Sequence, residues 1–275
     1  MRTFLALLLL LLWAPAAAGA DRVIALGSDV TEIAFALGRG DRLVAVDDTS
    51  SFPPAAATLP RLGYYRTLAP EPLLAQRPTL ILASPGAGPA AVLRQMERAG
   101  VRVVRLPEAY DAEGVAAKIR TVGAALGARR EADALARRTG AALAQPAPGA
   151  RPASRQPRML LVLATAPGRV LAAGSNTAGD GFIRLAGGTN GFRADGYKPI
   201  SAEAALAAAP DVILVPSHVA EMMGGLDAVA REPALARTPA ARTGRIILVD
   251  SQAALNFGPR LPQAVAAVRR ALAGG

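Results

Sequence analysis

Leu68-Ala69-Pro70-Glu71-Pro72-Leu73-Leu74-Ala75-Gln76-Arg77-Pro78-Thr79-Leu80-Ile81-Leu82 returns later in the chain as Ile200-Ser201-Ala202-Glu203-Ala204-Ala205-Leu206-Ala207-Ala208-Ala209-Pro210-Asp211-Val212-Ile213-Leu214. Each copy follows a Gly-Tyr pair, Gly63-Tyr64 and Gly196-Tyr197. In each, a carboxylate sits in the first turn of a short helix, a proline stops it, and an apolar strand follows. A match of this kind predicts two similar α/β lobes within one chain.

Working outward, strands and helices alternate. Val23 to Leu26 is an apolar run ending at Gly27, and Thr31 to Leu37 reads as a helix closed by Gly38. Leu43 to Val46, Leu80 to Ala83 and Val101 to Val104 read as further strands, with a helix over Ala90 to Ala99. Short apolar strands between helices predict a parallel sheet covered on both faces. Glu113 to Gln145 is different: it is rich in Ala, Leu, Arg and Glu, with apolar residues such as Val115, Ile119, Val122 and Leu126 at helical spacing. Gly127 is expected to break it in two. Pro146 to Pro157 reads as a loop, and the alternation restarts at Met159. The division expected is an N-terminal lobe over 21–127, a connecting helix over 128–146 and a C-terminal lobe over 147–275, with a ligand cleft between the lobes. Ligands of such sheets bind beyond the carboxyl ends of strands. Those ends carry Gly27-Ser28-Asp29, Ser84-Pro85-Gly86, Gly174-Ser175-Asn176 and Pro216-Ser217-His218.

Residues 1–20 read as a secretory signal peptide. Arg2 is a positive start, Phe4 to Trp13 an apolar core too short to span a bilayer, and Ala18-Gly19-Ala20 a small-residue cleavage site. The mature protein is expected to be exported, soluble and free of any anchor. The chain has no Cys and one His, which excludes thiolate metal sites and makes a multi-histidine centre untenable. The formal charge of +10 comes almost entirely from Arg, scattered rather than clustered with aromatics. That pattern suits an anionic small molecule better than nucleic acid.

Gly63-Tyr64-Tyr65-Arg66 carries the chemistry. A tyrosine ligates ferric iron only as phenolate, its ordinary pKa is about 10, and a neighbouring guanidinium favours the charged form. With haem's usual Cys and His ligands nearly missing, a Tyr–Arg pair is what this chain offers a ferric haem. Tyr65 is a rival to Tyr64.

On these residues, together with Val23 to Gly38, Asp48-Thr49-Ser50-Ser51-Phe52-Pro53-Pro54, Gly196-Tyr197-Lys198-Pro199 and Phe257 to Pro262, the chain resembles the periplasmic haem-binding proteins of bacterial ABC importers. These lie within the wider group of substrate-binding proteins for cobalamin, siderophores and haem. The resemblance implies two Rossmann-like lobes joined by a long rigid helix, with small hinge motion. It implies haem b (hemin) as transported ligand, an inner-membrane ABC permease and ATPase as partner, a periplasmic monomer, and no catalysis. Residue by residue it assigns Tyr64 as axial ligand, Arg66 as its support, and Glu71 with Glu203 as a permease-docking pair, one per lobe. Each Glu also reads as an ordinary helix-start carboxylate. Tyr197 and Lys198 read as cleft-lining residues or as core and solvent residues, and Arg260 as a propionate partner or a solvated arginine. The His that some relatives add just after the second lobe's first strand is absent from Ala164-Thr165-Ala166-Pro167. His218 follows a different strand and reads as a solvated or hydrogen-bonded loop residue. The alternatives are a cobalamin or ferric-siderophore carrier, and an exported α/β enzyme, against which stand the missing nucleophile elbow and glycine fingerprint.

Overall fold

The computed structural model describes residues 21–108, 110–145, 156–166 and 168–274. The expected signal peptide and the lobe boundary at 146/147 lie outside them.

In the first lobe, β1 (Val23–Leu26), α1 (Ser28–Ala36), β2 (Leu43–Val46), α2 (Pro70–Ala75), β3 (Leu80–Ala83), α3 (Ala90–Arg98) and β4 (Arg102–Arg105) follow in order. The strands form a sheet of order β2-β1-β3-β4, parallel throughout. Two helices, α4 (Ala112–Ala125) and α5 (Arg129–Ala144), come next. The second lobe holds β5 (Arg158–Ala166), β6 (Arg169–Ala173), α6 (Ala178–Ala186), β7 (Thr189–Asn190), β8 (Tyr197–Pro199), α7 (Ala202–Ala208), β9 (Val212–Pro216), α8 (Ser217–Met223), α9 (Leu226–Arg231), α10 (Pro239–Arg242), β10 (Ile246–Val249), α11 (Ser251–Leu255) and α12 (Leu261–Ala273).

Within the range expected for the connecting helix, 128–146, lies α5, and the break expected at Gly127 separates it from α4. The chain turns at Gly127, whose φ of 64° favours a residue without a side chain. α4 and α5 then pack closely, with Gly123 set against Ala132 and the Ala128 carbonyl. No helix among the described residues is long and apolar enough to cross a membrane.

The second lobe is less like the first than the repeat implies. Its β10-β9-β5 core is parallel, but β6 and β8 extend the sheet antiparallel. Two residues separate β5 from β6, too few for the crossover that a parallel pair requires. The expectation of two similar α/β lobes holds for the repeated α2–β3 and α7–β9 units; it fails for the strands that precede them.

Strand alternation sorts the core into three. Val23, Ala25, Leu80 and Leu82 of the first sheet share one buried cluster with Val115, Ile119 and Val122 of α4 and with Met159, Leu161, Val212 and Leu214 of the second. The intervening residues face the other way. Ile24, Leu26 and Ile81 pack beneath α2 and α3, and Leu160, Val162, Ile213 and Val215 beneath α7 and α8. One apolar cluster therefore runs through both lobes and the helical pair, and it sets the cleft walls against each other.

Candidate functional site

Between the lobes lies a cavity of about 690 Å³, within the usual range for small-molecule sites. The first lobe lines it with Thr49, Tyr64, Tyr65, Arg66, Ser84 and Pro85. The connecting segment adds Glu108, Tyr110 and Lys118, and the second lobe adds Leu163, Asn176, Tyr197, His218, Ser251 and Gln252 among others. Three of the four strand ends picked out in sequence thus meet at one cavity. The fourth, Gly27-Ser28-Asp29, lies beneath its floor.

The loop carrying Tyr64 is pinned by backbone hydrogen bonds. Asp48 N–H donates to the Gly63 carbonyl at 3.0 Å, Gly88 N–H to the Tyr65 carbonyl at 2.9 Å, and Leu68 N–H to the Gly88 carbonyl at 2.9 Å. Gly63, at φ 89°, makes the turn that presents the two tyrosines. Their environments differ sharply. Tyr64 is 45 % exposed, and Tyr65 is 8 % exposed within the outer apolar cluster. The rings meet edge-on at 5.2 Å. Arg66 lies over the Tyr65 ring, its Cζ 4.8 Å from the centroid. Burial pushes the Tyr65 hydroxyl up to about 12 despite that guanidinium. Arg66 itself, which burial alone would lower, is held above its ordinary range by the charge and hydrogen-bonding capacity of Tyr65 and Tyr64.

Gly86 makes room for Arg66. Its φ is 78°, and a Cβ there would collide with the guanidinium. Gly86→Ala is therefore expected to displace Arg66 and to cost about 1–2 kcal/mol for a non-glycine residue in the left-handed region. A thermal melt, together with ligand affinity compared with that of Arg66→Ala, checks this.

The cavity floor was not legible in advance. Lys118 Nζ donates to Asp29 Oδ2 at 2.8 Å and to the Asn256 carbonyl at 2.8 Å, with side-chain exposures of 4 % for Lys118 and 0 % for Asp29. Ser84 Oγ donates to the same Asp29 oxygen at 2.9 Å. One ammonium on α4 therefore ties the first lobe to the second. The signal was a charged residue inside the apolar stripe of α4. Tyr110 packs edge-on against Phe257 and donates to Glu108, and burial first, then that carboxylate, raises its pKa.

Two expected contacts do not form. Tyr197 lines the cavity and its hydroxyl accepts from Gly179 N–H at 3.2 Å. Its neighbour Lys198 is exposed and not at the wall, because adjacent strand residues point to opposite faces. Arg260 is also absent from the lining. Its guanidinium donates to Glu32 at 2.7 Å and to Asp250 at 2.8 Å, and stacks on Phe52 at 4.3 Å. Glu32 and Phe52 belong to the first lobe and Asp250 to the second, so Arg260 latches the lobes instead of facing a ligand. Glu71 and Glu203 are exposed in the first turns of α2 and α7, at equivalent places in the two lobes and away from the cavity. The backbone N–H of Glu203 and the Ser201 hydroxyl hold its carboxyl below the usual range.

Comparison with known proteins places the chain. It matches the family described as periplasmic binding protein over residues 23–253. A vitamin B12-binding protein of Vibrio vulnificus (strain YJ016) is 40 % identical over 103 residues, 38 % of each chain, so this chain spans about two fifths of the length of such curated relatives. Among solved structures, the periplasmic heme-binding protein BhuT in complex with two hemes is 40 % identical, with a TM-score of 0.85 over 93 % of this chain and 99 % of that one. RhuT from Roseiflexus sp. RS-1, a periplasmic heme-binding protein in apo form, is 37 % identical, with a TM-score of 0.87 over 92 % and 98 %. HutB of Vibrio cholerae, a periplasmic heme-binding protein, is 31 % identical, with a TM-score of 0.82 over 92 % and 99 %. These relatives are binding proteins and not enzymes, and the chain belongs to the periplasmic binding protein family.

Proposed function

We propose that the protein is exported to the periplasm, captures ferric haem between its lobes through the Tyr64 phenolate, and delivers it to an inner-membrane ABC permease. The observation that carries this reading is the half-exposed Tyr64 beside Arg66 on the wall of a cavity of about 690 Å³ between the lobes. Arg66 stabilises negative charge at the phenolate, while Tyr110, Tyr197, Leu163 and Leu255 supply apolar surface for a porphyrin. Solved relatives named for heme support the same ligand. Adding hemin to the purified protein is expected to give a Soret shift and a tyrosinate-to-iron charge-transfer band. Neither would appear if the ligand is something else.

The curated sequence relatives are named for vitamin B12, which supports a second reading, cobalamin capture by the same cleft. Competition settles between them: cobalamin in excess is expected to leave the hemin spectrum unchanged, and displacement of hemin would favour the second reading.

Glu71 and Glu203 act in delivery and not in capture. One exposed carboxylate at the equivalent place on each lobe would bracket a two-fold partner with basic contacts. A single exposed ion pair contributes about 0–1 kcal/mol, so single changes are expected to be mild. Glu71→Lys with Glu203→Lys puts like charges against such a partner on both lobes. Uptake into vesicles carrying the permease should collapse while the hemin spectrum stays normal. Unimpaired uptake would return both residues to the role of helix-start carboxylates.

A further inference from the structure

Among the described residues, six large apolar side chains are exposed, and single ones on a surface need no explanation. Two of them stand at matching places in the repeat. Leu74 is 39 % exposed on α2, and Leu206 is 40 % exposed on α7. In the register that pairs Glu71 with Glu203, Leu74 pairs with Leu206. Each leucine follows its glutamate by three positions, so the two share one face of a short helix. Ala75 and Ala207, next in each copy, are exposed as well.

What surrounds the two patches differs between the lobes. Pro70 opens α2, whereas Ser201 caps α7 by accepting the Ala204 N–H at 3.2 Å. The inward residue just before each leucine is Leu73 in the first lobe and Ala205 in the second, both fully buried. Helix start and core packing are thus solved separately, while the outward Glu and Leu recur. The cavity does not use them, since all four lie outside its lining. Among the described residues, neither glutamate forms an ion pair. A leucine left in water on one lobe is ordinary. The same leucine beside the same free carboxylate on both lobes fits a surface that is covered when the protein works.

We infer that Leu74 and Leu206 are the apolar anchors of the docking face, each entering an apolar socket beside the basic group that Glu71 or Glu203 meets on one half of a two-fold membrane partner. This rests on the docking reading of the two glutamates. Two equal patches on two lobes match a partner with two equal faces, as a symmetric dimer presents. The same face suits a second copy of this chain poorly, because it would set carboxylate against carboxylate. The two residue types act on different steps. Exposed carboxylates speed encounter and fix orientation but contribute little affinity. A leucine that passes from water into an apolar socket slows dissociation.

The test measures binding of the full-length mature protein, with hemin added, to the permease and ATPase complex held in lipid nanodiscs. Leu74→Ala and Leu206→Ala are each expected to weaken binding about fivefold, and together about twenty-five-fold, through faster dissociation. That loss should persist in high salt. The loss in Glu71→Lys with Glu203→Lys should come from slower association and shrink as salt screens the charges. Leu74→Met with Leu206→Met keeps the apolar surface and should bind as the unaltered protein does. All four side chains are exposed and away from the cavity, so every variant should keep the melting temperature and hemin spectrum of the unaltered protein. An unchanged dissociation rate in Leu74→Ala with Leu206→Ala, while Glu71→Lys with Glu203→Lys impairs binding, overturns the leucine assignment alone. An effect confined to one lobe overturns the two-fold match. Equal retention on nanodiscs without the complex assigns the leucines to the lipid surface, and a dimer of this protein that the two alanine changes dissolve assigns them to a second copy; either overturns the proposal. Normal binding by Glu71→Lys with Glu203→Lys, or no binding by the unaltered protein, overturns the docking reading itself.

Discussion

Tyr64→Phe is expected to abolish the tyrosinate-to-iron band and to weaken hemin binding more than about a hundredfold, beyond what losing an outer-shell partner of a metal ligand costs. Tyr65→Phe is expected to leave the band in place. The two rings are neighbours in sequence and touch in space, yet their surroundings separate them. Tyr64 is nearly half exposed at the cavity. Tyr65 is packed among Leu62, Leu68 and Leu73 with Arg66 over its face, and burial holds its hydroxyl protonated up to about pH 12. Burial that raises the cost of ionising a phenol makes it a poorer ferric ligand. Absorption spectra of the two variants decide the matter, and loss of the band in Tyr65→Phe alone would reverse the assignment.

The largest expected loss of stability is at Lys118. Lys118→Met removes the ammonium that Asp29 faces and leaves a fully buried carboxylate with only Ser84 Oγ and the Val30 N–H at 2.9 and 3.0 Å. Breaking a buried pair from one side costs about 3–5 kcal/mol, because the remaining charge is uncompensated. For a chain of this size that corresponds to a melting temperature lower by roughly 6–20 °C. Adding Asp29→Asn to Lys118→Met removes the stranded charge, so the double variant should melt above the single one. Equal melting temperatures for the unaltered protein and Lys118→Met would mean that the pair contributes little. Lys118 also donates to the Asn256 carbonyl across the lobe boundary, so the single variant should also weaken hemin binding by loosening the floor between the walls.

The repeat made the α2–β3 and α7–β9 units legible, because a helix-start carboxylate, a stopping proline and a buried strand are all local signals. It did not reveal that β6 and β8 run antiparallel. For β6 that follows from the two-residue connection Pro167-Gly168, a turn-forming pair that the reading of the sequence did not use. Tyr64, Tyr65, Arg66, Tyr197 and His218 were legible as residues. What they do depends on distances that sequence does not hold. Arg260 shows this well. From its place after Gly258-Pro259 it read as a propionate partner or a solvated arginine, and it is instead held by Glu32, more than two hundred positions earlier, and by Asp250.

By itself the sequence determined the α/β class, the two-lobed plan, the helical pair broken at Gly127, and the one segment where a phenol and a guanidinium stand together. These depend on periodicity, on residues that fix backbone angles, and on side-chain chemistry, all of which act over a few positions. Tertiary structure alone decided which of two adjacent tyrosines stands half-exposed at the cavity and which is packed in the core. It decided that Lys198 turns away, that Lys118 and Asp29 make the floor, and that Arg260 latches the lobes. Burial and charge pairing act through space, and the groups they join here lie as much as 228 positions apart along the chain.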